Sequence, residues 1–271
     1  MKLVNTFVAL GLAGVLSSTP ALAQREGVNV GENSLFTGLV SAEEMEATAL
    51  QQYRQVLREA AQQNALAPAS NAQLQRLRAI ANRIIPHALD WNPRAKDWKW
   101  EVNLIGSKQI NAWCMPGGKI AFYTGILNQL QLNDDEVAAV MGHEIAHALR
   151  EHARERAGKS AATNLGANVF SELLGLGSLG RTVVGGGVQL LGLSFSRDNE
   201  TQADLVGLEL SARAGYDPRA AITLWQKMNT ASKGAPPQWL STHPAGSTRI
   251  AEIERNLPKV MPLYERARTG G

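Results

Sequence analysis

The sequence predicts an α+β fold that is mainly α-helical, with one small antiparallel β-sheet among the helices. Apolar residues recur at helical spacing in most segments, and capping signals open several of them. Only one stretch, from Trp98 to Tyr123, changes to a period of two. The 271 residues, 44% of them hydrophobic, suffice for one substantial core, and no shift of composition marks an inner boundary.

The elements follow in order. Lys2, an apolar stretch from Phe7 to Leu16, and Ala21-Leu22-Ala23 have the layout of a secretory signal peptide over residues 1–23. About ten apolar residues are too few to span a bilayer. Cys114 is the single cysteine, so neither an internal disulfide nor a lipid anchor on a cysteine after the leader is expected. The expected location is the periplasm. Residues 24–40 carry no periodicity and read as a flexible lead-in.

Ser41 and Glu44, three apart, open a helix to about Asn64 with Leu50, Tyr53 and Leu57 on one face. Pro68 breaks it, and a second helix from about Asn71 to Ile85 carries Leu74, Leu77 and Ile80 before Pro86. Trp98, Trp100, Val102 and Leu104 alternate with Lys99, Glu101 and Asn103, a half-buried strand. Ile110–Met115 and Lys119–Tyr123 read as two more, joined by the turn Pro116-Gly117-Gly118.

Asn133 and Glu136 cap a helix to about Arg156, with Val137, Val140, Met141, Ile145 and Ala148 as its apolar stripe. Residues 163–195 are rich in Gly and Leu, but Glu172, Arg181 and Gly185-Gly186-Gly187 rule out a transmembrane helix. Closely packed helices are the reading, with a membrane-facing loop, and so peripheral membrane contact, as the alternative. Helices follow at about Arg197–Ala214, Pro218–Asn229 and Pro244–Asn256. The domain spans residues 41–260, and 261–271 form a C-terminal tail.

His143-Glu144-Ile145-Ala146-His147 is an H-E-x-x-H pattern inside the helix opened by Asn133. Residues four apart lie about 40° from each other around a helix, so both imidazoles reach one ion. Zinc suits imidazole and keeps a position open for water in catalytic sites. Glu144 stands beside them as the general base, and the chemistry expected is zinc-dependent hydrolysis with one Zn2+ per chain. A net charge of +3 without long basic runs gives no reason to expect nucleic acid as a partner.

A third ligand is needed. Position 153, where one zinc-peptidase pattern would place histidine, is Ala153, and position 166, where another would place glutamate, is Gly166. On an unbroken helix His152 lies about half a turn from His143 and faces elsewhere. Glu172 and Glu200 remain. Glu200 has Asp204 on the same helical face, a carboxylate able to accept the free N–H of a ligating histidine; Glu172 has no such partner.

Taken together, H-E-I-A-H at 143–147, Glu200-x-x-x-Asp204, Thr242-His243-Pro244 with Arg249-Ile250, and Asn111-Ala112 with Pro116-Gly117-Gly118 resemble peptidase family M48 over about residues 45–256. That family contains the CaaX prenyl proteases and soluble periplasmic relatives of the BepA and LoiP type. The resemblance implies a zincin-type metalloendopeptidase domain with the small sheet beside the H-E-x-x-H helix. It implies Glu200 as third ligand, Asp204 behind it, and Arg249 helping to orient the site.

His243 is implied to lie near the metal, either as a catalytic donor to the oxyanion, the preferred role, or as a cap on the zinc. The strand of Asn111 and Ala112 is implied to border the cleft and to bind extended substrate by its free edge. Neither the membrane helices of the prenyl proteases nor the helical-repeat domain of longer relatives is expected here, and unfolded or misassembled envelope proteins, in a protein quality control role, are the expected substrates. A chaperone-like client-binding protein with a latent zinc site is the alternative. Glu144 argues against it, because holding a client needs no base.

Overall fold

Nine helices and three strands account for most of the described residues, with the strands falling together between the second and third of those helices. The computed structural model describes residues 25–173, 190, 194–232, 237–244 and 248–270, with 164–173 described by backbone alone. The expected signal peptide, most of the Gly- and Leu-rich stretch and the side chain of Glu172 lie outside the described residues.

Helices α1 (Ala42–Gln62) and α2 (Ala72–Ile84) form where the sequence places them, capped by the side chains of Ser41 and Asn71. Strands β1 (Glu101–Ile105), β2 (Ala112–Met115) and β3 (Lys119–Tyr123) make one sheet in the order β1-β3-β2. The expected all-antiparallel sheet is instead mixed. β2 pairs antiparallel with β3, but β1 pairs parallel with it, Glu101 opposite Lys119 and Ile105 opposite Tyr123. Alternation of residue types reports which face of a strand is buried and not which strand lies beside it. The deciding feature is the link from β1 to β2, which crosses the end of β3. There a Cβ on Gly125 would lie 2.2 Å from the Gln109 carbonyl oxygen, and Ser107 exchanges hydrogen bonds with Thr124.

Helix α3 (Thr124–Gln129) follows β3 directly. Helix α4 (Asp134–Leu149) opens on the predicted capping box, with Glu136 N–H donating to Asn133 Oδ1 at 2.9 Å and Asn133 N–H to Glu136 Oε2 at 3.0 Å. All five predicted stripe residues are buried, but so is nearly every other residue from Glu136 on. An α-helix buried all round is a central helix. It packs between β2 on one side and α2, α6 and α7 on the others.

The expected helix to Arg156 is broken. Glu151 adopts a left-handed backbone (φ 55°), and α5 (His152–Leu173) starts afresh. No glycine or proline marks this break; tertiary bonds from Arg150 to the carbonyls of Gly31 and Glu32 and to Gln202 hold it. Helix α6 (Arg197–Arg213) opens on a capping box of Ser196 and Asn199 and crosses α4 backbone to backbone. A Cβ on Gly207 would fall 2.6 Å from the His143 nitrogen, and one on Gly142 2.7 Å from the Gly207 carbonyl oxygen.

Helix α7 (Ala220–Ala231) leads to α8 (Gln238–Thr242) and α9 (Arg249–Thr269). The helix expected from Pro244 to Asn256 therefore begins at Arg249, and it runs past the expected boundary at residue 260. Pro258 and Pro262 lie inside it, while Val260, Leu263 and Tyr264 on its other side are buried, so the predicted tail packs on the core. The lead-in is tied down as well. Val28 is buried, Leu35–Leu39 form a 3-10 turn, and the buried Glu209 carboxylate accepts from Arg25 at 2.7 Å and from Val28 N–H at 2.8 Å. No helix of the described residues is long and apolar enough to cross a membrane.

Candidate metal centre

The glycine crossing of α4 and α6 sets the site, because it faces His143 and His147 on one helix toward Glu200 and Asp204 on the other. His143 Nε2 lies 3.1 Å from His147 Nε2 and 3.6 Å from Glu200 Oε2, and His147 Nε2 lies 3.4 Å from Glu200 Oε1. His243, the C-cap of α8, brings its Nδ1 to 3.3 Å from His143 Nε2 and 3.1 Å from Glu200 Oε1. One ligand atom from each of these four buried residues lies within 4.8 Å of all the others.

The residues fit zinc on two grounds. A tetrahedral centre with arms of about 2.0–2.1 Å has edges of about 3.3–3.4 Å, close to the separations seen here. The second ground is protonation. His143 Nδ1 donates to Asp204 Oδ1 at 3.0 Å, which leaves the lone pair on Nε2. His147 Nδ1 meets His152 Nδ1 at 2.9 Å, which again leaves Nε2 to face the centre. Nitrogen lone pairs converging at such distances repel one another without a cation between them.

Around this set the support is dense. Arg249 holds Asp204 through two hydrogen bonds of 2.6 Å and Glu200 Oε2 through a third of 2.6 Å, while its guanidinium stacks 3.8 Å above Trp225. Burial alone would raise the Asp204 pKa, but the charge of Arg249 keeps it lowered. Burial pushes His147 well below its ordinary value and His152 down to about 4, so both imidazoles are neutral at pH 7. His243 also loses by burial, but the facing carboxylates of Glu144 and Glu200 raise it.

Glu144 holds no place among the four ligand atoms. Its Oε1 accepts from the Trp239 indole N–H at 2.6 Å and lies 3.5 Å from His243 Nε2. Beside it opens a cleft of about 360 Å³, bordered by Asn111 and Ala112 on one side and by His147, Phe195 and His243 on the other. The Asn111 carbonyl accepts from Tyr123 N–H of β3, so in this antiparallel register the outward backbone groups belong to Ala112 and Cys114. The Asn111 side chain itself covers the Ala112 N–H at 3.0 Å.

Every predicted site residue thus converges on one place. His152 stays outside the ligand set, as expected, but it does not face elsewhere. The break at Glu151 ends the helical phase that turned it away, and it supports His147 from behind. Sequence reasoning also passed over Trp239, on Glu144, and Phe195, whose ring stacks on His147 with centroids 4.0 Å apart. The only local hint was Trp239 standing four residues before His243.

Comparison with known proteins agrees with this geometry. The chain is 40% identical over 173 residues to the mitochondrial metalloendopeptidase OMA1 of Arabidopsis thaliana, covering 63% of this chain and 35% of that protein. It is 37% identical over 172 residues to OMA1 of Schizosaccharomyces pombe, covering 62% and 50%. To the beta-barrel assembly-enhancing protease of Escherichia coli it is 28% identical over 199 residues, covering 70% and 40%. The chain therefore spans a third to a half of the length of these relatives. The model of peptidase family M48 matches residues 71–257, which include all four ligand residues and their support: the chain belongs to peptidase family M48.

Proposed function

We propose that this chain is a zinc-dependent metalloendopeptidase of the bacterial periplasm that cleaves unfolded or misassembled envelope proteins. The observation that carries the reading is Glu144, a buried carboxylate beside the ligand set, outside it, and open to the cleft. His143, His147 and Glu200 would hold the zinc, which supplies Lewis acidity for water and the scissile carbonyl. Glu144 takes the proton from the attacking water and returns it to the leaving amine. Asp204 fixes the tautomer of His143, and Arg249 keeps both carboxylates in place. The Ala112 and Cys114 edge pairs with extended backbone, which favours unfolded clients over any one sequence. Export rests on the leader over residues 1–23, and the envelope role on the likeness to a protease named for β-barrel assembly.

His243 gives a second reading of the same site. With its Nδ1 among the ligand atoms the set is closed, as in structural zinc sites, and catalysis needs that position free. We therefore read His243 as a cap that must withdraw before turnover, in preference to a donor to the oxyanion. A client-binding protein with latent zinc is the limit in which it never withdraws. The test is purified full-length protein, and its His243→Ala variant, incubated with unfolded casein with and without a chelator. Cleavage that the chelator stops supports the peptidase; intact casein with both zinc-loaded proteins overturns it.

A further inference from the structure

Trp239 donates a hydrogen bond to the base while offering no ligand atom to the metal centre, although its ring packs against His143 and His243. Its indole N–H donates to Glu144 Oε1 at 2.6 Å between two buried residues. Of the other indoles, Trp98 also donates to a carboxylate, that of Glu46 at 3.0 Å, but the Glu46 side chain is 26% exposed. Trp91 and Trp113 have no partner for theirs among the described residues. The short, buried bond is therefore particular to position 239.

The placement of the ring is fixed independently of that bond. Trp239 is fully buried in the main core, lies 5.2 Å from the Trp225 ring, and has its backbone N–H on the Ile110 carbonyl at 3.1 Å. Arg249, which holds Asp204 and Glu200, stacks on the same Trp225. The indole is thus built onto the same scaffold as the metal ligands. His243, by contrast, ends α8 and is followed by Pro244, so it can leave while the buried ring stays.

We infer that Trp239 is a positioning residue for Glu144. Its N–H occupies one carboxylate oxygen and fixes the rotamer, so that Oε2 alone is presented to the water beside the metal. The inference rests on the peptidase reading for its consequence, but the hydrogen bond itself does not. A carboxylate held by one donor keeps a single orientation. Without the donor it samples others, and the proton transfer it performs loses efficiency while substrate binding by the β2 edge is untouched.

The experiment has two arms on the full-length, zinc-loaded protein. In the first, Trp239→Phe keeps an aromatic ring against Trp225 and His243 and removes only the donor. Expected are unchanged zinc content, unchanged KM and a kcat lower by roughly ten- to hundredfold, the worth of a hydrogen bond to a charged group. In the second arm, 15N-labelled tryptophan gives indole signals for six residues. The signal that Trp239→Phe deletes should sit downfield in the parent protein and move upfield in Glu144→Gln, whose neutral amide accepts more weakly. A kcat equal to or above that of the parent overturns the positioning role. A Trp239 signal indifferent to Glu144→Gln overturns the contact, and if Trp239→Phe folds poorly, the absence of any downfield indole signal that moves upfield in Glu144→Gln overturns it equally. If the parent protein cleaves nothing while the signal responds as expected, the peptidase reading fails and the contact stands.

Discussion

His143, His147 and Glu200 stand on two long helices that touch backbone to backbone at Gly142 and Gly207, whereas His243 closes a turn of five residues. The first three are braced from behind by Asp204, Arg249 and His152. His243 is braced by the very groups it meets at the centre, Glu200 at 3.1 Å and His143 at 3.3 Å. Its backbone N–H returns only to Trp239. One region is a cradle braced by hydrogen bonds from outside the centre. The other is a single side chain on a short lever. If the chain is the hydrolase proposed above, it must hold a metal tightly and yet open one position, and these two properties would fall on different elements.

Mutations that break the cradle should have the largest effects. Glu200→Ala removes a ligand and leaves Arg249 without one of its two carboxylates. Most bound zinc and all measurable turnover should be lost, read as metal content of the purified variant. Gly207→Ala places a methyl 2.6 Å from the His143 nitrogen. Overpacking costs about 1–3 kcal/mol, at about 2–4 °C per kcal/mol for a chain of this size. A thermal melt should show that loss together with weaker zinc binding, and a melt unchanged from the parent would mean that the crossing is not close. Asp204→Asn keeps the shape and removes the charge, so zinc affinity should fall by roughly 10–100-fold. His243→Ala tests the lever. If the open arrangement is a minor state of at most about 10%, freeing it raises peptide turnover by about tenfold or more, with zinc retained. A loss of turnover instead would make His243 a catalytic donor.

The two regions also differ in how far the sequence disclosed them. The cradle was legible because its parts are local. Two histidines four apart on a capped helix, and a glutamate four before an aspartate on another, are periodic signals that survive without knowledge of the fold. Their meeting was legible through family resemblance and not through spacing, since Gly142 and Gly207 are informative only once the helices are seen to cross there. The lever was legible through the family resemblance of Thr242-His243-Pro244 and not through any periodicity. Its helix was misplaced, and Trp239 gave no periodic cue to a partner 95 residues away.

His152 shows the general cause. Its placement followed correctly from an unbroken helix, and the break came from long-range bonds of Arg150 that no local rule contains. The order β1-β3-β2 has the same origin in a crossing link whose course depends on Gly125.

The central claim is that Glu144 acts as the base and does not bind the metal. Glu144→Gln is nearly isosteric and leaves His143, His147 and Glu200 untouched. Zinc content and cleavage of unfolded casein should be measured on the same preparation of this variant and of the parent protein. The account predicts equal zinc in both and a turnover in the variant lower by roughly 10²–10⁴-fold, the usual worth of a general base. Full turnover with zinc retained would contradict it, and loss of the zinc would make Glu144 a ligand.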